Sequence, residues 1–125
     1  TQIATLVKKF SPAEDIFNPS SPKVALSDDW HALYFSRSVI PYLRGVETDE
    51  WQAGHVYYKH IGLYAYRSDI LREITALPQG MLELAESLEQ LRWLENGYRI
   101  KAAETFTESM AIDTPKDLEK VLASL

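Results

Sequence analysis

"YYKHIGLYAYR", Tyr57 to Arg67, is the stretch whose reading decides the fold. Aromatic and aliphatic residues alternate with charged and small ones at period two, which is the pattern of a β-strand. The alternation places Ile61, Leu63 and Ala65 on one face and Tyr58, His60, Gly62, Tyr64 and Tyr66 on the other. The first face is expected to be core. The second carries rings with polar tips around a glycine, leaving two readings open. Either a ligand lies against the sheet there, or a helix packs closely over Gly62 and a backbone carbonyl satisfies His60.

Upstream, "QIATLVKKF" alternates in the same way and leads into "SPAEDIF". There Ser11 as N-cap, Pro12 in the first turn and Glu14 as capping-box carboxylate predict a short helix. "KVALS" and "HALYFSRSVI" read as strands with a turn at "DDW", a hairpin from Lys23 to about Ile40. "PYLRGVETDEWQAGH" is polar and irregular. Downstream, "SDILREITAL" reads as a helix capped by Ser68. "MLELAESLEQLRWLENG" reads as one long helix with a core stripe of Leu84, Leu88, Leu91 and Leu94 beside Ala85. Gly97 suits the C′ position, and "YRIKAAETF" returns to strand. "DTPKDLEKVLASL" predicts a last helix with Thr114 as cap, Pro115 at N1 and Asp117 at N3. This order predicts an α/β fold, a mixed sheet with flanking helices, forming a single unit over 1–125.

The chain has 125 residues, 46% hydrophobic and 25% charged, enough apolar surface for one folded domain. Its net charge of -5 and scattered Lys and Arg argue against a nucleic-acid partner, which needs clustered cations. No apolar run approaches the roughly 18 residues of a membrane span, and "TQIATLVKKF" lacks the layout of a signal peptide, so no membrane insertion and a cytoplasmic location are expected. The absence of cysteine excludes disulfides and thiolate chemistry.

Few residues stand out as chemical groups. Arg37 shares the side of Leu33 and Phe35, where a charge either snorkels at a sheet edge or binds an anion. Opposite the leucine stripe lie Glu86, Glu89, Gln90 and Trp93, read as a solvated face on which Glu89 pairs with Arg92, or as a surface that recognises hydroxyls. Asp113 precedes a strand-to-helix cap, a position where α/β folds place ligand groups, although by itself such a residue is most often only a turn aspartate. There is no phosphate-binding glycine loop, no HExxH and no GxSxG, and His55 and His60 lack metal-ligand spacing.

Taken in order, "ALYFSRSVIPYLR", "YYKHIGLYAYR", "LELAESLEQLRWLENGYRI" and "IDTPKDLEKV" closely resemble the C-terminal half of the 3-deoxy-manno-octulosonate cytidylyltransferases, the CMP-Kdo synthetases. "ATLV" and "AEDIFNPSSPKV" extend the likeness over nearly the whole chain. The resemblance implies the C-terminal part of a nucleotidyltransferase fold, with the N-terminal CTP-binding half absent from these residues. It also implies transfer of CMP from CTP to the anomeric hydroxyl of Kdo, with Mg2+, releasing pyrophosphate and supplying lipopolysaccharide assembly.

Carried over by position, the resemblance assigns Arg37 and Arg44 to the sugar carboxylate or phosphate. His60, Tyr64, Glu89 and Gln90 fall to the sugar pocket, and Asp113 to magnesium. Arg37 and Asp113 are the residues expected to serve catalysis, and the implied partners are CTP, Kdo and a second copy in a homodimer. Two places depart from the family pattern: Met110-Ala111 precedes Ile112-Asp113 where glycine is common, and Val39 stands where proline or alanine is frequent. The 125 residues alone are expected to be inactive. Alternatives are a cytidylyltransferase for another acidic sugar, such as a sialic acid, and a binding or dimerisation module without catalysis.

Overall fold

The computed structural model describes residues 1–107; Asp113 and the last predicted helix lie outside the described residues. Strands β1 (Ile3–Lys9), β2 (Lys23–Leu26), β3 (Ala32–Ser36), β4 (Tyr58–Tyr66) and β5 (Ile100–Glu104) form one sheet in the order β3-β2-β4-β1-β5. β1 and β5 run parallel, and the other neighbours are antiparallel. Among the described residues four α-helices accompany them: α1 (Trp51–Gly54), α2 (Ser68–Thr75), α3 (Met81–Glu86) and α4 (Gln90–Glu95). The mixed sheet with flanking helices matches the expected α/β class.

The face of the sheet that carries the core is the reverse of the one expected from β4. Ile3 and Val7 of β1, Ile100 and Ala102 of β5 and Phe35 of β3 are buried against Ile70 and Ile74 of α2 and Leu91 and Trp93 of α4. Tyr58, Tyr64 and Tyr66 pack on that cluster, so the tyrosine face turns inward. Ile61 is buried, but Leu63 is 55% exposed and Ala65 is exposed too. With Ala4, Leu6 and Ala103 they line a shallow apolar groove of about 240 Å³. The described helices supply their buried side chains to the other face. Alternation had fixed which residues share a face, and tertiary packing decided which face is covered.

The β1–β4 ladder contains a bulge. Thr5 is opposite Tyr64 while Leu6 is opposite Ile61, so Gly62 and Leu63 have no partner in β1. A slip of two residues preserves the parity of the faces. A Cβ on Gly62 would meet nothing within 4 Å, so among the described residues no helix packs over it.

Local signals were overridden in three places. Residues 11–17 form turns, not a helix: Ser11 N does donate to Glu14 Oε1 at 2.9 Å, but Asp15 and Asn18 carboxyl and amide oxygens accept from Phe17 N and Ser20 N. Such side-chain bonds to the backbone two residues on compete with a helix. Glu14 also pairs with Lys59 of the central strand β4.

The long helix breaks at Ser87, whose φ of 53° is left-handed, and Leu88 N closes on Glu83 O at 3.2 Å in a Schellman arrangement. Leu84 is consequently 61% exposed while Leu88 and Leu91 stay buried. Arg92 does not pair with Glu89. Its guanidinium meets Glu83 of α3 through two bonds, Nε to Oε1 at 2.8 Å and NH2 to Oε2 at 2.5 Å, and holds that carboxyl below its usual range.

The "irregular" segment, finally, contains a 3-10 turn and α1, because Trp51 is buried with Ile16 and Tyr57 in a second small core. By contrast Gly97 holds the positive φ expected after the last described helix, and Lys23–Ser36 pair as a hairpin with a turn at Ser27–His31. β3 ends at Ser36, short of the expected Ile40. Ser68 opens α2 without a side-chain cap bond.

Candidate functional site

His60 sits where β4 faces α4, and both of its ring nitrogens are engaged. Nε2 lies 2.9 Å from Thr5 Oγ1, and Nδ1 lies 3.4 Å from Gln90 Nε2. The ring stacks edge-on to Phe35 with centroids 4.8 Å apart, and Tyr64 lies on its other side at 5.4 Å. Burial pushes its pKa down to about 4, so the imidazole is neutral at pH 7. A neutral ring with both nitrogens held orients its neighbours and is a poor proton carrier.

Tyr64 is wedged between His60, Tyr66 and Trp93, whose ring meets it edge-on at 4.9 Å. Burial, then the nearby Tyr66 and Glu89, raises its pKa, so it remains a phenol. Its hydroxyl has no hydrogen-bond partner among the described residues. Gln90 is 5% exposed, whereas Glu89, immediately before α4, is exposed. The break at Ser87 sets this order. It turns α4 so that Gln90 and Trp93, expected on a solvated face, reach the β4 tyrosines while Glu89 stays at the rim.

Arg37 makes the break rigid. Its Nε donates to Glu86 O at 2.7 Å, NH2 to Ser87 O at 3.1 Å and NH1 to Pro19 O at 2.9 Å. Its backbone N–H donates to Glu86 Oε1 at 3.0 Å. A guanidinium has five N–H groups, so two remain for an anion. Arg37 also borders a cleft of about 440 Å³ with Phe17, Pro19, Ser38, Val39 and Trp51.

The structure thus brings His60, Tyr64 and Gln90 into one cluster with Glu89 at its rim, and ties Arg37 to it through the α3–α4 break. Arg44 stands apart, exposed in the loop before α1. Among the described residues, no three His, Asp or Glu side chains form a group able to hold a metal ion.

Sequence reasoning missed several supports of this site. Thr5 is 3% exposed in the middle of β1. A polar residue on a buried alternating face was the available signal. Lys23 is fully buried and donates from Nζ to Asn18 O at 2.8 Å and Arg37 O at 2.9 Å; burial lowers its pKa. It lies opposite Lys59 in the β2–β4 ladder, so two lysines pin the loop between β1 and β2. No pattern of spacing announces such a pair.

A sequence model described as cytidylyltransferase matches residues 1–102. The chain belongs to that family. Among the relatives of this cytidylyltransferase chain, a 3-deoxy-manno-octulosonate cytidylyltransferase of Parabacteroides distasonis is 62% identical over 100% of this chain and 51% of its own length. The enzyme of the same name from Bacteroides thetaiotaomicron is 62% identical over 95% of this chain and 49% of its own. One from Geobacter sulfurreducens is 45% identical over 99% and 52%. A solved structure of CMP:2-keto-3-deoxy-manno-octonic acid synthetase, complexed with CTP, superposes with a TM-score of 0.79 at 44% identity, covering 98% of this chain and 48% of that one. The fold is therefore that of a nucleotidyltransferase, and the chain spans about half the length of the curated relatives it matches.

Proposed function

We propose that the protein containing this chain activates the acidic sugar Kdo by transfer of CMP from CTP, giving CMP-Kdo and pyrophosphate for lipopolysaccharide assembly. The observation that carries this reading is 62% identity along the whole chain to a 3-deoxy-manno-octulosonate cytidylyltransferase. The geometry agrees with a sugar site: a neutral imidazole, a phenol and a carboxamide converge, with the Glu89 carboxylate at the rim. Such groups match hydroxyls one by one and carry little charge of their own.

In this reading Tyr64, Gln90 and Glu89 bind sugar hydroxyls, and His60 orients Gln90. The two spare N–H groups of Arg37 face the sugar carboxylate or a phosphate, with Arg44 as a second cation. Displacement at the α-phosphorus of CTP spreads charge over phosphate oxygens, so holding the reactants in line and neutralising that charge are the main catalytic terms. Asp113 is the proposed magnesium ligand, a hard oxygen donor suited to that ion. Bound magnesium would supply Lewis-acid stabilisation of the phosphates.

A cytoplasmic location suits a nucleoside triphosphate donor, and among the described residues no helix is long and apolar enough to cross a membrane. A homodimer belongs to the same proposal, supported by the exposed apolar side chains Leu33, Tyr42 and Val56. The test is pyrophosphate release by the intact protein given CTP, Kdo and magnesium. No release would refute the reading, and preference for a sialic acid over Kdo would reassign the sugar.

A further inference from the structure

The helix-facing side of β1 reads Ile3, Thr5, Val7, and the middle residue is as buried as its apolar neighbours. Its hydroxyl is held at the β4 bulge. Thr5 Oγ1 lies 2.8 Å from Leu63 O and 3.3 Å from Ile61 O, the carbonyls that flank Gly62. Both are acceptors, so the single hydroxyl proton goes to one of them, the nearer being Leu63 O. The third contact, His60 Nε2 at 2.9 Å, must then be one in which the ring N–H donates to Oγ1. That leaves Nδ1 with a lone pair, which accepts from the Gln90 amide. Turned the other way, the carboxamide would set Oε1 against that lone pair. Gln90 Oε1 itself accepts no hydrogen bond from the described residues.

We propose that Thr5 is a positioning residue: its hydroxyl sets His60 in the Nε2–H tautomer and, through Nδ1, turns the Gln90 carboxamide so that Oε1 faces the ligand as an acceptor. The ligand group this selects is a hydroxyl donor of the sugar. The identity of that ligand rests on the acidic-sugar reading above; the hydrogen-bond chain from Leu63 O to Gln90 does not. Losing the hydroxyl frees the ring to carry its proton on Nδ1. Gln90 would then reverse and offer two N–H donors where an acceptor is needed.

The experiment uses the intact protein, labelled with 15N-histidine, as wild type, Thr5→Val and Thr5→Ser. Long-range ring correlations at pH 7 without ligand report the tautomer, and steady-state kinetics with Kdo report KM and kcat. Wild type and Thr5→Ser are expected to show Nε2–H. Thr5→Val is expected to show a mixture or Nδ1–H, with KM for Kdo raised about tenfold, the scale of one misdirected hydrogen bond, and kcat within about twofold. Nδ1–H in the wild type overturns the proposal, as does an unchanged tautomer in Thr5→Val. It fails too if Thr5→Ser raises KM as much as Thr5→Val, since the role would then belong to the methyl group. If Thr5→Val does not fold, Thr5→Ala is read in its place by the same criteria. If the intact protein does not use Kdo, the acidic-sugar reading falls while the tautomer comparison still decides for or against Thr5.

Discussion

Acid should weaken the protein through His60, and the size of the effect follows from its surroundings. The perturbation is a fall in pH from 7 to 4.5. In the folded state burial holds His60 at a pKa of about 4, against an unfolded value of about 6.5. Because the folded pKa is depressed for a base, the unfolded chain takes up the proton first. Stability is therefore full above about pH 6.5 and falls as pH drops toward 4. Linkage over the interval to pH 4.5 gives a loss of about 2 kcal/mol from this one ring, using the folded value of about 4.

Burial is what resists the proton, since the charged ring would lose its water. Protonating Nδ1 would also require the Gln90 carboxamide to reverse, because its amide donor faces that nitrogen at 3.4 Å. The assay is chemical denaturation of wild type and His60→Gln at several pH values, together with an NMR titration of the ring. Carboxylates with lowered pKa values, among them Glu14 and Glu86, also lose stability in acid, but they contribute equally to both proteins and cancel in the difference. The wild type should lose about 2 kcal/mol more than His60→Gln between pH 7 and 4.5. A ring titrating between pH 6 and 7, or parallel curves for the two proteins, would refute the reasoning.

Other expectations concern the frame around the site. Arg37→Lys keeps the charge but cannot span Pro19 O, Glu86 O and Ser87 O; a loss of about 1–3 kcal/mol in urea denaturation is expected. Ser87→Gly should raise stability by up to about 1 kcal/mol, since a left-handed φ of 53° costs glycine nothing sterically; a lower denaturation midpoint would mean the serine is doing something else. Trp93→Ala opens a hole beneath Tyr64 and Tyr66 and should cost about 3–5 kcal/mol, read as a fall in the same midpoint.

Much of this protein was legible in its residues because period-two alternation is a local property. The strands, the hairpin and the inclusion of His60 and Tyr64 on one face all follow from side chains taken in order along β4 and its neighbours. The order of its motifs already pointed to the cytidylyltransferase family to which the chain belongs. Alternation could not say which face of β4 would be covered, since that depends on helices far along the chain. Nor could it foresee the break at Ser87. Within "MLELAESLEQLRWLENG" the apolar spacing favours one continuous helix, and a partner at the break, Arg37, lies some 50 residues upstream, where its guanidinium takes the carbonyls there. That long-range contact turns α4, puts Gln90 beside His60 and leaves Glu89 at the rim. Thr5 is the same lesson at smaller scale. Its hydroxyl has a function only because a bulge 56 to 58 residues away brings two carbonyls and an imidazole within its reach. Sequence by itself determined which residues share a strand face; the tertiary structure determined what each face meets, because hydrogen-bond direction and burial depend on partners that local order does not specify.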